Sequence, residues 1–259
     1  MDLGLAGKVA IVAASSRGLG RAIAEELAAE GARVVICARG EQALRATATE
    51  IRSAYGGEVL DVVADVSDRA DATRLVDTAI DRYGKVDILV NNSGGPPSGR
   101  FENLTPEMWD AAAQLLLNST VGLTRLVLGG MKERRWGRIL NVTSIAAKQP
   151  VDGLMLSNSL RAAVIGFART LATEVAPFGV TVNNLLPGYT RTDRVEQLAR
   201  ATAAGSGSTV AKWESEIPIG RLGEPRELAA LAAFLASHRA SYITGSSIAV
   251  DGGWIRSLF

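Results

Sequence analysis

Short runs of apolar, β-branched residues recur nearly end to end in this chain, each followed by a longer stretch of helical period. They are KVAIVAA (8–14), RVVICA (33–38), EVLDVVADV (58–66), VDILVNN (86–92), GRILNVTS (137–144), VTVNNLLPG (180–188) and SSIAVDGG (246–253). A strand open to water on one face alternates apolar and polar side chains. Runs that stay apolar predict strands covered on both faces, as in a parallel sheet. The intervening segments carry helix signals. Ile23 and Leu27 lie one turn apart ahead of Gly31, and Thr105 before Pro106 supplies an N-cap and a first helical position. This alternation predicts a doubly wound parallel α/β sheet with helices on both faces and right-handed crossovers.

The rest of the composition narrows the function. Lys plus Arg is 28 against 27 Asp plus Glu, a net charge of +1 that creates no field for nucleic acid or an anionic membrane. Cys37 is the one cysteine, so no internal disulfide forms and a reducing compartment fits. The opening MDLGLAGKVAIVAAS lacks a basic n-region and a cleavage site. No apolar run is expected to reach the roughly 18 residues of a membrane span, so the expectation is a soluble, cytoplasmic protein. No Pro/Gly/Ser-rich linker divides residues 1–259, which are read as a single domain. Within a polar segment at 190–217 lies the flexible stretch ATAAGSGSTV (201–210). Because the segment follows a strand's C-terminal end, where such folds bind ligands, it is read as a mobile cover over a substrate pocket.

The first strand runs through SSRGLG directly into a helix. A glycine turn before a helix N-terminus presents free N–H groups and a favourable dipole, which suit a pyrophosphate. The same turn recurs in plain strand-to-helix junctions, so its neighbours carry the argument further.

Those neighbours are AASSRGLG (13–20), ADV (64–66), NNSG (91–94), Asn118 in a long helix, NVTS (141–144), PGYTRT (187–192) and the closing GRLGEPRELAALAAFLAS…YITGSSIAVDGG. In this order and spacing the chain resembles the short-chain dehydrogenase/reductase family, along essentially its whole length, and its 3-oxoacyl-carrier-protein reductases most. The resemblance implies a single-domain, Rossmann-like fold that moves hydride between a nicotinamide and a small-molecule carbonyl or alcohol. It also implies a homo-oligomer, tetramer or dimer, with SIAVDGGWIRSLF packed against another subunit.

For the cofactor, the resemblance assigns Ser15, Ser16, Arg17, Gly18, Leu19 and Gly20 to the pyrophosphate turn. Asp65 and Val66 fall to the adenine, Asn92, Ser93 and Gly94 to the strand end beneath the cofactor, and Pro187, Gly188 and Thr192 to the nicotinamide side. The family's first turn glycine is Ala14 here, which requires a right-handed turn at that point or mild strain. Where NAD(H) enzymes carry an acidic residue after the second strand, this chain has Ala38 and then Arg39. Arg39 and Arg17 together suit a 2′-phosphate, so NADP(H) is expected over NAD(H). The double proline in GPPSGRF, just past Gly94, departs from the family and is expected to reshape the substrate mouth.

Family catalysis pairs a Ser with a Tyr and with a Lys four residues after the Tyr, while an Asn holds a relay water. Ser144 and Asn118 match the first and last of these. The Tyr and Lys positions read Ser157 and Arg161, and AAVIGFARTLATEVAPFGVTVNNLLPG fixes that register. Arg161 is expected to take over charge and ribose contact. A serine hydroxyl is several units weaker as an acid than a phenol of pKa about 10, so it does not replace the acid. The proton is therefore sought from Ser144, Ser157, a water on Asn118, Lys148 or Tyr189. The alternative is a catalytically silent NADP(H)-binding sensor or scaffold.

Overall fold

A computed structural model describes residues 2–203 and 209–258 of the chain. The centre of the flexible stretch, 204–208, lies outside the described residues. Seven parallel strands form one sheet among the described residues: Val9–Val12 (β1), Arg33–Ala38 (β2), Val59–Val63 (β3), Ile88–Asn91 (β4), Gly137–Val142 (β5), Val180–Pro187 (β6) and Ser247–Val250 (β7). Their order is β3-β2-β1-β4-β5-β6-β7, so the winding reverses between β1 and β4. Carboxyl ends flanking such a switch point leave a crevice for a ligand. Most strands are shorter than their apolar runs. Residues 13–20, 92–97 and 143–147, beyond β1, β4 and β5, leave the ladder and build the crevice.

Side chains of successive strand residues point to opposite faces, and each face has its own helices. On one side Val12, Val34, Ile36 and Val90 pack with Ile23 and Leu27 of Gly18–Ala29 (α1), Leu44 and Ile51 of Glu41–Tyr55 (α2), and the alanine-rich later helix Pro225–Ala236. On the other, Ile11, Val35, Leu89 and Ile139 meet Leu75 and Val76 of Arg69–Tyr83 (α3), then the long central helix and Met155–Val175. Both faces are thus covered, as the runs predict.

The central helix begins where Thr105 and Pro106 predict, with Thr105 Oγ1 accepting from Met108 N at 3.4 Å. Pro106–Ala113 (α4) passes through a π turn, Gln114–Asn118, into Ser119–Glu133 (α5). Pro106–Glu133 is, by length and composition alone, apolar enough to cross a membrane, a test that buried core helices also pass. Its Leu123, Val127 and Met131 are buried against the sheet.

Met155–Val175 is α6, and the segment 190–217 is largely helical, with Asp193–Ala203 (α7) and Thr209–Glu216 (α8). Pro225–Ala236 is then α9.

Candidate active site

At the end of β1, Ala14 adopts φ 48°, so the strained alternative for this turn is the one realised. Gly18 follows at φ 59°. A Cβ on Gly20 would collide with Ala14 O and lie 2.7 Å from Asn92 Nδ2, so only glycine fits there. Asn92 Nδ2 donates to Ala13 O and Ala14 O at 3.2 and 3.3 Å, tying the end of β4 to the turn. Ser15 departs from its assigned role as a cofactor contact. It is fully buried, and its hydroxyl donates to Val12 O at 2.7 Å and accepts from Cys37 N at 3.1 Å. That side chain joins β1 to β2 and shapes the turn from behind. Ser16 O accepts from Thr47 Oγ1, and Leu19 packs partly buried against the core. The exposed N–H-bearing surface of the turn is left to Arg17, Gly18 and the start of α1.

Arg17 and Arg39 both stand at this edge with open guanidinium groups. Arg39 is 79% exposed and lies 3.7 Å from Asp65, whose other carboxylate oxygen accepts from Ser67 N and Oγ. Val66 is buried beside it. Arg17 Nη1 reaches across the crevice to Asp193 at 3.3 Å, linking the glycine turn to the first residue of α7. The far wall is Pro187, the last residue of β6, and Gly188, where a Cβ would come within 2.7 Å of Asp251 Cα. Thr192 Oγ1 accepts from Val195 N at 3.4 Å, and its methyl faces Gly18.

Beyond β5 the backbone turns at Ser144. Its Oγ accepts from Ala146 N at 3.1 Å, which leaves its own O–H free to donate. On α6, Arg161 Nε donates to Ser157 Oγ at 3.2 Å, while Nη1 donates to Val142 O and Thr143 O at 3.0 and 2.8 Å. The guanidinium is thereby fixed against the residues that precede Ser144. Burial, with the charge of Arg194 adding to it, pushes Arg161 down to about 10, so it remains a cation at neutral pH.

Arg161 also borders a small cavity with Asn91, Thr120, Leu116, Asn141 and Thr143, open to about one water. In-register asparagines cross the sheet here. Asn91 Nδ2 donates to Asn141 Oδ1 at 2.9 Å, and Asn141 Nδ2 donates to Asn184 Oδ1 at 3.0 Å. Asn91 Oδ1 is buried without a partner and belongs to this cavity's lining.

The structure does not bring the Asn118 side chain into this group. It is exposed, and its amide donates to Gln114 Oε1 at 2.9 Å within the π turn. Leu116 and Thr120, two residues to either side, line the cavity in its place. Lys148 is exposed at the end of a short turn. Tyr189 stacks on Trp213 of α8 with ring centroids 4.4 Å apart, and burial pushes its phenol up to about 12. Ser93 and Gly94 follow the end of β4, and Ser93 Oγ donates to Gly94 O at 3.3 Å.

Sequence reading missed Arg194. Its Nη2 donates to Pro96 O at 2.7 Å, and its guanidinium lies over Gly95, where a Cβ would come within 2.9 Å of Nε. The GGPP stretch is therefore the seat of a cation brought in from α7, 98 residues away.

A parallel sheet reversing at β1 and β4, with a glycine turn into α1 and a serine past β5, defines a Rossmann-type dinucleotide fold. The family model described as enoyl-(acyl carrier protein) reductase matches residues 13–255. The 3-oxoacyl-[acyl-carrier-protein] reductase FabG of Haemophilus influenzae is 38% identical over 248 residues, covering 95% of this chain and 98% of that protein. L-sorbose reductase of Gluconobacter frateurii, solved with NADPH and L-sorbose, is 36% identical with a TM-score of 0.95 and covers 100% of both chains. A single-site variant of the actinorhodin polyketide ketoreductase, solved with NADPH, is 34% identical with a TM-score of 0.93, covering 97% of this chain and 98% of that one. The chain belongs to the short-chain dehydrogenase/reductase family and is an oxidoreductase of the ketoreductase type.

Proposed function

We propose that the protein is an NADP(H)-dependent carbonyl reductase whose active site works through Ser144, Ser157 and Arg161 without a tyrosine acid. The observation that carries the reading is the glycine turn: backbone at 14–20 closes so tightly that Gly20 admits no Cβ, leaving the N-terminus of α1 open for a pyrophosphate. NADP(H) is favoured over NAD(H) because β2 ends without an acidic residue and is followed by an open Arg39, with Arg17 beside it. FabG relatives and the NADPH complexes of similar structures support the same choice.

When bound, the dihydronicotinamide supplies a hydride to the carbonyl carbon. Ser144 and Ser157 each accept one hydrogen bond from the protein, so each hydroxyl keeps a proton to aim at the substrate oxygen. Arg161, bonded to Ser157 and to the backbone before Ser144, places positive charge beside the oxygen as it becomes negative. Fixed donors and charge of this kind stabilise an oxyanion by several kcal/mol in a water-poor site. The carbinol proton comes from water through these hydroxyls. Helices α7 and α8 stand over the crevice, Arg17 bonding to Asp193 at the start of α7 and the stacked Tyr189 and Trp213 holding α8 to the end of β6. The test is NADPH oxidation with a panel of ketones. Turnover that falls tenfold or more in Ser144→Ala supports the reading, and equal rates in the two proteins contradict it.

A further inference from the structure

Asn91, the last residue of β4, is 3% exposed, and only one side of its amide is used. Its Nδ2 donates to Asn141 Oδ1 at 2.9 Å and to Thr124 Oγ1 at 3.2 Å, whereas its Oδ1 is buried and has no donor among the described residues. Arg161 has the opposite deficit. Its Nε and Nη1 donate to Ser157 Oγ, Val142 O and Thr143 O, and Nη2 has no acceptor among the described residues. Both side chains line the cavity that admits about one water, and Thr120 of α5 and Val164 of α6 complete its wall.

A buried amide oxygen left unpaired is unfavourable, and so is an unpaired N–H on a buried cation. A water held in a small cavity needs at least two polar partners. An acceptor and a charged donor supply both. We propose that Asn91 is a positioning residue for the reduction: one buried water accepts from Arg161 Nη2, donates to Asn91 Oδ1, and so fixes the free edge of the guanidinium. The cation bonded to Ser157 then keeps its place as the substrate oxygen becomes negative. The Asn91 amide is itself held, because the ladder continues from Asn141 Nδ2 to Asn184 Oδ1 and from Asn184 Nδ2 to Ser247 Oγ, each at 3.0 Å. The sheet is thus the rigid base on which the cation rests. The inference rests on the reductase reading above and adds a residue to it.

Filling the cavity tests this without touching the ladder. Thr120→Ile carries an extra carbon into the space, Thr120→Ser leaves room for the water, and Asn91→Leu removes the acceptor. Thr124→Val breaks a bond of Asn91 Nδ2 outside the cavity and controls for packing. With NADPH and the ketone that the wild type reduces fastest, kcat is expected to fall tenfold or more in Thr120→Ile and Asn91→Leu. The KM for the ketone stays within threefold, as when an interaction made only in the transition state is lost. Thr120→Ser and Thr124→Val keep kcat within twofold of the wild type, although Thr124→Val lowers Tm. A crystal structure of the NADPH complex is expected to show one water bonded to both Asn91 Oδ1 and Arg161 Nη2, and the Thr120→Ile structure to lack it. Wild-type kcat in both Thr120→Ile and Asn91→Leu overturns the proposal. So does an equal fall in Thr124→Val, which would make ladder packing the cause, or a wild-type structure in which no water joins the two side chains. A wild type that shows the water and reduces no ketone removes the reductase reading and leaves the bridge between Asn91 and Arg161 standing.

Discussion

Arg161 Nε donates to Ser157 Oγ at 3.2 Å, one helical turn apart on α6. The bond orients the serine so that its own proton is available, and it satisfies a buried guanidinium. Ser157 is only 8% exposed. Ser157→Ala is expected to lower both activity and stability, because it leaves the buried Arg161 Nε–H without its acceptor, which costs about 1–3 kcal/mol. Ser144→Ala, at a half-buried turn, is expected to lower kcat tenfold or more with little change in urea midpoint. Equal stability losses in the two variants would contradict this division of roles.

Gly20→Ala drives a methyl into Ala14 O and to within 2.7 Å of Asn92 Nδ2. Backbone cannot yield there without opening the turn. NADPH affinity is expected to fall at least 30-fold, read by fluorescence titration, with a lower Tm for the unliganded protein. Wild-type affinity would show that the turn is not the pyrophosphate site.

Arg39 is anchored by no more than a 3.7 Å approach to Asp65 and is free to turn toward a 2′-phosphate. Arg39→Asp is expected to lower the NADPH-to-NADH ratio of kcat/KM tenfold or more. The added carboxylate repels the phosphate and accepts from a ribose hydroxyl. An unchanged ratio would assign cofactor choice elsewhere.

Tyr189 separates packing from catalysis. Burial, with Glu216 contributing, raises its phenol from 10.0 to about 12. The folded state therefore holds this proton more tightly than the unfolded chain. Its contribution to stability is intact below pH 10 and is lost as pH rises toward 12. Tyr189→Phe is expected to flatten that part of the pH–stability curve and to leave kcat at neutral pH within twofold. A tenfold fall in kcat would make the phenol the proton donor after all.

The sheet is legible in the sequence because a strand covered on both faces must be apolar throughout, and seven such runs stand there. Capping chemistry likewise announces the helix at Thr105 and Pro106. Asn118 shows where such reading stops: the long helix is recognisable, but its rotation is not, and Leu116 and Thr120 face the cavity instead. A π turn at 114–118 adds to the difficulty, since it shifts the phase of every later residue. Ser15 suggests a ligand contact by its place in the turn, whereas its hydroxyl is consumed by the backbone of two strands. Arg194 carries no local signal, because what defines it is Pro96 O on another loop. The double proline is visible as an oddity, and its use emerges only when the chain is folded.

The most direct test is to supply NADPH carrying deuterium at both C4 positions to the wild-type protein with the panel of ketones and to examine the products by mass spectrometry. The account predicts deuterium on the new carbinol carbon, in a yield that Ser144→Ala cuts tenfold or more. NADPH bound at the glycine turn with no deuterium transferred to any of these carbonyls would contradict it and leave a silent nucleotide-binding protein.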